Sequence, residues 1–310
     1  MQSIAIGADI GGSHIYSAAV DLSTHRIIPG TGFTQPVNNK AGASEILDGW
    51  SRAIAATMQR IDVEKLAGIG FAMPGPFDYP NGIALFERVE KYESLYGVNV
   101  SEELRNRLQL DNRVHFRYIN DATAFAIAEA WVGKAGNFER LIALTLGTGF
   151  GSAFINQGIP VLQGDTVPEM GCVWHLPFKD SIANNYFSTH WFTGTYFERT
   201  GQRVEGVKDL AIAASTDAIA KELFLEYGRN MGHFIAPWIR KFDARVIVIG
   251  GNITGAFDLF GKHLEDALDR NDVKVDLLLS DLKEDAAVMG GARLLDENYW
   301  NRVKDLLKLM

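Results

Sequence analysis

The sequence is poor in cysteine, in long apolar runs and in positive charge, and each shortage excludes a class of protein. A single cysteine, Cys172, among 310 residues rules out an internal disulfide and a zinc site built from several cysteines. No stretch approaches about 18 uninterrupted apolar residues, so a transmembrane helix is not expected. The formal net charge of −8 argues against nucleic acid as the main partner, because phosphate backbones bind basic surfaces.

Two further features are absent from the sequence, a P-loop motif and a signal peptide. The chain contains no Gly-x4-Gly-Lys-Ser/Thr pattern, which excludes a P-loop nucleotide site. Its first ten residues carry no basic segment and do not resemble a signal peptide. Hydrophobic residues make up 47% and charged residues 22%, as is usual for a soluble globular protein. We therefore expect a cytoplasmic protein with no membrane partner, long enough for two domains.

What the sequence does contain is a duplicated glycine turn. Asp9-Ile10-Gly11-Gly12-Ser13 and Gly147-Thr148-Gly149 both lie between runs of alternating apolar residues, which predict paired strands. Bare backbone can approach an anion closely and offer its N–H groups to phosphate oxygens. One such turn fits an ordinary β-hairpin equally well, but two in corresponding positions indicate a cleft with a phosphate-binding turn on each side. The predicted phosphate contacts are Gly11, Gly12, Ser13, Gly147, Thr148 and Gly149.

Other residues extend this prediction to a whole nucleotide. Asp9, just before the first turn, is a predicted Mg²⁺ ligand acting through water, because hard cations favour carboxylates and keep much of their hydration. Gly250, Gly251 and Asn252 follow a predicted strand and would leave a flat gap for adenine and ribose. An ordinary strand-to-helix bend explains these three residues almost as well. The predicted cofactors are ATP and Mg²⁺.

The pair Asn120-Asp121 opens an alanine-rich predicted helix. Such a pair most often supplies an N-cap, but one of the two can cap while the other faces the cleft. A helix N-terminus stabilises a carboxylate, and phosphoryl transfer uses an ionised aspartate to orient a hydroxyl and accept its proton. Asp121 is therefore the candidate general base, and Asn120 a candidate ligand of a neighbouring hydroxyl.

Strands alternate with helices in both halves, which predicts an α/β protein of two similar lobes. On pattern alone the boundary falls near Asn120, with residues 1–120 in the first lobe and 121–296 in the second. A C-terminal helix at about 297–310 is assigned to the first lobe. The stretch from residue 156 to about 206 is expected to be irregular, and Pro237 is expected to kink or divide a long helix over 218–241.

Together the motifs resemble the ROK family of sugar kinases, which have the actin-like (ribonuclease H-like) ATPase fold. The resemblance follows the family's order across nearly the whole chain and rests on Asp9-Ile10-Gly11-Gly12-Ser13, Pro74-Gly75-Pro76, Asn120-Asp121-Ala122, Gly147-Thr148-Gly149-Phe150-Gly151, Glu169-Met170-Gly171, Gly250-Gly251-Asn252 and Gly290-Gly291-Ala292. It implies ATP-dependent phosphorylation of a hexose hydroxyl by a homodimer, with Asp121 as the base. The sugar contacts that it implies are Gly75, Asn120, Glu169 and Asn184.

The chain departs from the family at the zinc site. Family members usually follow Glu-x-Gly with a histidine that joins three cysteines around zinc, whereas Cys172 stands at that position here and residues 177–185 contain no cysteine. Zinc is therefore not expected, and packing must hold the sugar-binding loop. Asn184 aligns with a second sugar-binding glutamate of the family and can still donate and accept hydrogen bonds.

Several functions remain open at this point. The leading one is a kinase for a glucose-like hexose, and an N-acetylated or other hexose is an alternative substrate. A sugar or nucleotide sensor of the same fold without catalysis is a second class. A filament-forming or chaperone ATPase is a third, although the Asn120-Asp121 and Glu169-x-Gly171 motifs favour a small polyol ligand.

Overall fold

The computed structural model describes residues 3–310, which form two compact units. The first comprises the chain up to Val132 together with Glu284–Met310, and the second comprises Gly133–Lys283. The strands are β1 (Ile4–Ile10), β2 (His14–Asp21), β3 (Arg26–Ile27), β4 (Phe33–Pro36), β5 (Leu66–Met73), β6 (Phe77–Asp78), β7 (Ile83–Ala84), β8 (His115–Asn120), β9 (Arg140–Leu146), β10 (Phe150–Asn156), β11 (Ile159–Pro160), β12 (Pro177–Phe178), β13 (Ser181–Ile182), β14 (Val246–Gly250) and β15 (Asp276–Leu279). The helices are α1 (Ala43–Met58), α2 (Val100–Leu108), α3 (Asp121–Trp131), α4 (Thr189–Thr200), α5 (Val207–Ala213), α6 (Ala218–Phe242), α7 (Phe257–Arg270), α8 (Asp285–Arg293) and α9 (Glu297–Val303).

The first unit is built on a sheet of order β3-β2-β1-β5-β8, with β4 also paired to β2. Strands β1 and β2 form an antiparallel hairpin, and β5 and β8 continue the sheet in parallel from β1. The carboxyl ends of β1, β5 and β8 therefore lie along one edge. That edge carries Asp9, the segment after Met73, and Asn120.

The second unit repeats this arrangement, which confirms the predicted duplication. Its sheet has the order β11-β10-β9-β14-β15, with β9 and β10 antiparallel and β14 parallel to both β9 and β15. The hairpin turn 147–149 and the turn after Gly250 consequently lie at neighbouring strand ends. Alternating apolar residues in the strands pack against helices whose buried faces are rich in aromatic side chains, including those of α6.

Helix α8 explains why the first unit extends beyond the predicted boundaries near residues 120 and 297. A Cβ at Gly70 on β5 would lie 1.9 Å from the Gly291 carbonyl oxygen, and one at Gly290 would lie 1.9 Å from that of Ala124. Helix α8 thus packs backbone to backbone against the sheet on one side and against α3 on the other. Both α3 and α8 therefore belong to the first unit.

Substitution of Gly290 tests this close packing. Gly290→Ala should lower the free energy of unfolding by about 2–4 kcal/mol, because the added methyl group must displace the backbone of α3. Gly194→Ala is the matched control, since Gly194 also lies inside a helix but a Cβ there would meet nothing within 4 Å. The control should gain up to about 1 kcal/mol from helix propensity. Chemical denaturation measures both, and equal effects of the two changes would contradict the packing.

The segment between β10 and α6 contains more regular structure than predicted. It includes the 12-residue helix α4 and the short strands β11, β12 and β13. Helix α6 runs through 25 residues and is not divided at Pro237, contrary to one of the two expected outcomes. Pro237 is exposed, so water can satisfy the carbonyl group that proline leaves without a donor. Within residues 3–310, every helix is too short or too polar to cross a bilayer.

Candidate functional site

In the turn between β1 and β2, the backbone carbonyl groups accept hydrogen bonds from other parts of the protein. The Gly11 N–H donates to the His14 carbonyl at 2.9 Å. The Gly11 carbonyl accepts a hydrogen bond from the Tyr92 hydroxyl at 2.5 Å, and the Gly12 carbonyl accepts one from the Asn39 amide. The Ser13 carbonyl accepts the N–H of Val37 at 2.8 Å. All three carbonyls are thus occupied.

Two N–H groups of this turn, those of Gly12 and Ser13, are free by contrast. Neither the Gly12 nor the Ser13 N–H has an acceptor among residues 3–310, and both residues are exposed. A Cβ at Gly12 would meet nothing within 4 Å, and its backbone is not among the positive-φ glycines. Glycine therefore serves here to leave space rather than to permit the turn. Two adjacent free N–H groups facing open space can bind an anion.

Asp9 lies at the end of β1, in a cluster of negative charge. Burial, reinforced by the charges of Asp121 and Glu284, raises the pKa of Asp9 to about 7. A divalent cation would relieve this repulsion, and carboxylate oxygens are the donors that Mg²⁺ prefers. The residue therefore fits the predicted role of holding Mg²⁺ through water.

An Asp9→Asn substitution tests this buried charge. Because folding raises the pKa of Asp9, the contribution of this group to the free energy of unfolding falls as pH rises from about 4 towards 7 and stays constant above 7. Asp9→Asn should therefore raise Tm by an amount that grows with pH and levels off near neutrality. One pKa unit corresponds to about 1.4 kcal/mol. At about pH 8, Asp9→Asn should therefore raise the free energy of unfolding by more than ~1 kcal/mol.

Thermal denaturation between about pH 5 and pH 8.5 measures this effect. Asp258→Asn, an identical change at an exposed carboxylate in the first turn of α7, is the control and should show no such pH-dependent gain. A gain for Asp9→Asn that stays constant with pH, or a loss at pH 8, would contradict the assigned charge cluster.

Asn120 and Asp121 have different roles at the start of α3. The Asn120 side-chain oxygen caps the helix by accepting the Thr123 N–H at 3.1 Å. Its amide nitrogen donates to Oδ1 of Asp121 at 2.9 Å, and the Ala122 N–H donates to the same oxygen at 2.8 Å. Asp121 is exposed, and its Oδ2 has no hydrogen-bond partner in the described chain. The carboxylate is therefore oriented through one oxygen and open at the other.

Gly75 lies in the segment that follows β5. It is exposed between buried Pro74 and exposed Pro76. The Tyr79 hydroxyl donates to the Met73 carbonyl at 3.1 Å and braces the start of the segment. A Cβ at Gly75 would lie 3.5 Å from that hydroxyl oxygen, which is ordinary contact.

The second glycine turn repeats the pattern of the first. The Gly147 N–H donates to the Gly149 carbonyl at 3.0 Å, and the Gly147 carbonyl accepts both the N–H and the hydroxyl of Thr189, at 2.8 and 2.9 Å. The N–H groups of Thr148 and Gly149 have no acceptor among residues 3–310, and both residues are exposed. Each unit therefore presents two consecutive free N–H groups at the tip of a corresponding hairpin.

The turn Gly250-Gly251-Asn252 lies against this hairpin within the second unit. Gly251 has a φ of +91°, and a Cβ there would lie 2.3 Å from the Leu146 carbonyl oxygen. Glycine is therefore required by both conformation and space. Asn252 is exposed, and the Thr254 hydroxyl fixes the turn by donating to the Gly251 carbonyl at 2.6 Å.

Glu169 begins a short 3₁₀ turn, Glu169–Gly171, and its side chain is exposed. Gly171 has a φ of +60°, and a Cβ there would lie 2.3 Å from the Val161 carbonyl oxygen. The loop bearing Glu169 is thus fixed by a close backbone approach. Across residues 3–310, no three His, Cys, Asp or Glu side chains are grouped to hold a metal ion.

The segment that carries zinc in the family is held here by other contacts. Burial raises the pKa of the Cys172 thiol to about 11, so the thiol is protonated near neutral pH. Lys179, between β12 and β13, pairs with Glu226 of α6 at 3.4 Å. The Phe178 ring packs at a tilt against that of Phe187, with 5.2 Å between ring centroids. An ion pair and aromatic packing therefore fasten this hairpin.

Asn184 takes a place that the sequence does not indicate. Its side-chain oxygen accepts the Phe150 N–H at 2.9 Å, so it contacts the second glycine turn directly. Sequence analysis also missed Tyr92 and Asn39, which hold the first turn, and Glu284, which acts on Asp9. No motif marks these residues, and only their position in the folded chain reveals them.

Comparisons with known proteins agree with this architecture. A family model described as the ROK family matches residues 5–298. A glucokinase of Thermotoga maritima is 24% identical, with 94% of this chain and 97% of the relative covered. An N-acetyl-D-glucosamine kinase of Aliivibrio fischeri is also 24% identical, with coverages of 93% and 96%. A ROK family glucokinase structure from Streptomyces griseus, in complex with glucose and AMPPNP, superposes with a TM-score of 0.74 at 21% identity, covering 94% and 98% of the two chains. The expected actin-like ATPase fold is confirmed.

Proposed function

The chain belongs to the ROK family, and from that premise we propose that it is a sugar kinase transferring the γ-phosphate of ATP to a hexose hydroxyl. The observation that carries the proposal is the Asp121 carboxylate, oriented through one oxygen by Asn120 and Ala122 and open at the other. The names of the glucokinase and N-acetyl-D-glucosamine kinase relatives support the class of reaction.

In this proposal Asp121 is the general base. Its free oxygen accepts the proton of the sugar hydroxyl while the hydroxyl oxygen forms a bond to the γ-phosphorus of ATP. The bond between the γ-phosphorus and the bridging oxygen breaks, and ADP leaves with that oxygen. Hydrogen bonds from Asn120 and from the Ala122 N–H hold the carboxylate in place before reaction.

The nucleotide is assigned to the glycine turns. The free N–H groups of Gly12, Ser13, Thr148 and Gly149 are proposed phosphate donors, with Gly11 and Gly147 shaping the two turns. Gly250, Gly251 and Asn252 are proposed to bind the adenosine. Mg²⁺ held by Asp9 through water would neutralise phosphate charge.

The proposed acceptor is a glucose-like hexose, bound by Gly75, Asn120 and Glu169. Asn184, the fourth sugar contact that the resemblance implies, already accepts the Phe150 N–H through its side-chain oxygen. An N-acetylated hexose is the alternative that the Aliivibrio fischeri relative favours. A homodimer is proposed on the family resemblance.

A sugar screen followed by turnover tests the proposal. Thermal shift against a hexose and N-acetylhexosamine panel, with and without Mg-AMPPNP, identifies the ligand because binding to the folded state raises Tm. A coupled assay then measures ADP release with the best binder. We expect release that requires the sugar. Binding without ADP release indicates a sensor, and sugar-independent release with assembly indicates a filament or chaperone ATPase; either contradicts the proposal.

A further inference from the structure

Asn184 lies in a 3₁₀ turn, Ala183–Asn185, and its side chain reaches the second glycine turn. Its Oδ1 accepts the Phe150 N–H at 2.9 Å and lies 3.3 Å from the place that a Cβ on Gly149 would occupy. The backbone N–H of Asn184 donates to the Trp174 carbonyl at 2.9 Å. The side chain is therefore fixed directly behind the exposed tip of the hairpin.

The same short segment holds the other end of the turn. Thr189 donates twice to the Gly147 carbonyl, while Asn184 holds Phe150 on the opposite side. The two free N–H groups, of Thr148 and Gly149, lie between these anchors. Their direction consequently depends on residues 184 and 189, which precede or begin α4.

The segment is itself rigid enough to act as an anchor. Phe187 is fully buried, and its ring lies 5.1 Å from that of Phe150 and 5.2 Å from that of Phe234 on α6. Asn184 and Thr189 thus bond to the turn from a packed segment. A turn whose shape is set by such contacts before binding has a smaller ordering cost when an anion binds.

We infer that Asn184 is a positioning residue for the phosphate-binding turn 147–149, a role distinct from the sugar contact implied by the family. The inference rests on the proposed function insofar as the anion is a nucleotide phosphate. A neutral amide suits this place, because its oxygen accepts the Phe150 N–H without adding charge. A carboxylate could accept the same hydrogen bond but would place a negative charge beside the N–H groups that receive a phosphate.

Two substitutions and a matched control separate the roles of Asn184. Asn184→Ala removes the acceptor of a half-buried N–H and should weaken Mg-AMPPNP binding about tenfold. Asn184→Asp keeps the acceptor and the shape, so Tm should change little, yet it should weaken nucleotide binding by at least as much. Asn185→Ala loses only its hydrogen bond to Ser181 and should bind Mg-AMPPNP within about twofold of the wild type.

Calorimetric titration with Mg-AMPPNP gives nucleotide affinity, and steady-state assays give KM for the nucleotide and for the sugar separately. We expect the nucleotide KM to rise in both Asn184 variants, with the sugar KM within about threefold of the wild-type value. Wild-type nucleotide affinity in both variants, or a rise confined to the sugar KM, would overturn the inference. Because calorimetry needs no turnover, a wild-type protein that phosphorylates no sugar would defeat the proposed kinase without deciding the role of Asn184.

Discussion

Replacement of Asp121 by asparagine is expected to lower kcat by about 10³-fold or more, with sugar affinity changed by less than about threefold. General-base catalysis contributes on the order of 10²–10⁴, and an amide cannot accept the hydroxyl proton. The hydrogen bonds from Asn120 and Ala122 to Oδ1 can persist with an amide oxygen, so the helix start should keep its structure. Steady-state kinetics and calorimetric sugar titration measure the two quantities.

Asp258→Asn serves as the control for this substitution. It makes the same change in the first turn of another helix, α7, and should leave kcat within about twofold of the wild-type value. If Asp121→Asn lowered both kcat and Tm, the loss of activity would reflect damage to α3 rather than removal of the base. Turnover of Asp121→Asn within tenfold of wild type would remove Asp121 as the base.

A valine at Gly12 is expected to weaken nucleotide binding about 100-fold or more while Tm stays nearly unchanged. The Cβ itself meets nothing within 4 Å, so the folded chain accommodates it. The branched side chain would instead occupy the space in front of the free N–H groups of Gly12 and Ser13. Hydrogen bonds to a charged group are worth about 1.5–3 kcal/mol each, so losing two accounts for this factor.

Gly42→Val is the matched control for the turn substitution. Gly42 is exposed at the N-cap of α1, and a Cβ there also meets nothing within 4 Å. Titration of both variants with Mg-AMPPNP should show a large loss at residue 12 and almost none at residue 42. Normal nucleotide affinity in Gly12→Val would show that the space beside this turn receives no phosphate.

The strands and the duplication could be predicted from the sequence because they are local patterns. The alternating apolar residues of β1 and β2, and of β9 and β10, mark the two hairpins. The pair Asn120-Asp121 could likewise be assigned to a helix start. Which of the two capped the helix required the structure, because both side chains are able to do so.

The unit boundaries could not be predicted, because they depend on packing between distant segments. Gly290 and Ala124 approach each other through backbone atoms, although they lie far apart in the sequence. Nothing in the local pattern of α3 indicates that α8 covers it. The prediction near residue 120 therefore separated α3 from the sheet that it packs with.

At the candidate site, the contacts that hold the glycine turns could not be predicted from the sequence either. Their composition indicated phosphate binding, but the carbonyl groups of the first turn are held by Tyr92 and Asn39, which no motif marks. The sequence predicts glycine in both turns because bare backbone can approach an anion closely. At Gly12 the reason is open space, whereas at Gly251 it is both a positive φ and a close approach.

The most direct test of the proposed kinase activity measures which product receives the γ-phosphate of ATP. Protein saturated with the best-binding hexose is mixed with ATP labelled in the γ-phosphate and Mg²⁺, and the products are separated after a single turnover. We predict that the label appears in a hexose phosphate in equal amount to ADP, and that Asp121→Asn forms neither at a comparable rate. Label recovered as inorganic phosphate, or retained in ATP while both ligands are bound, would contradict the account.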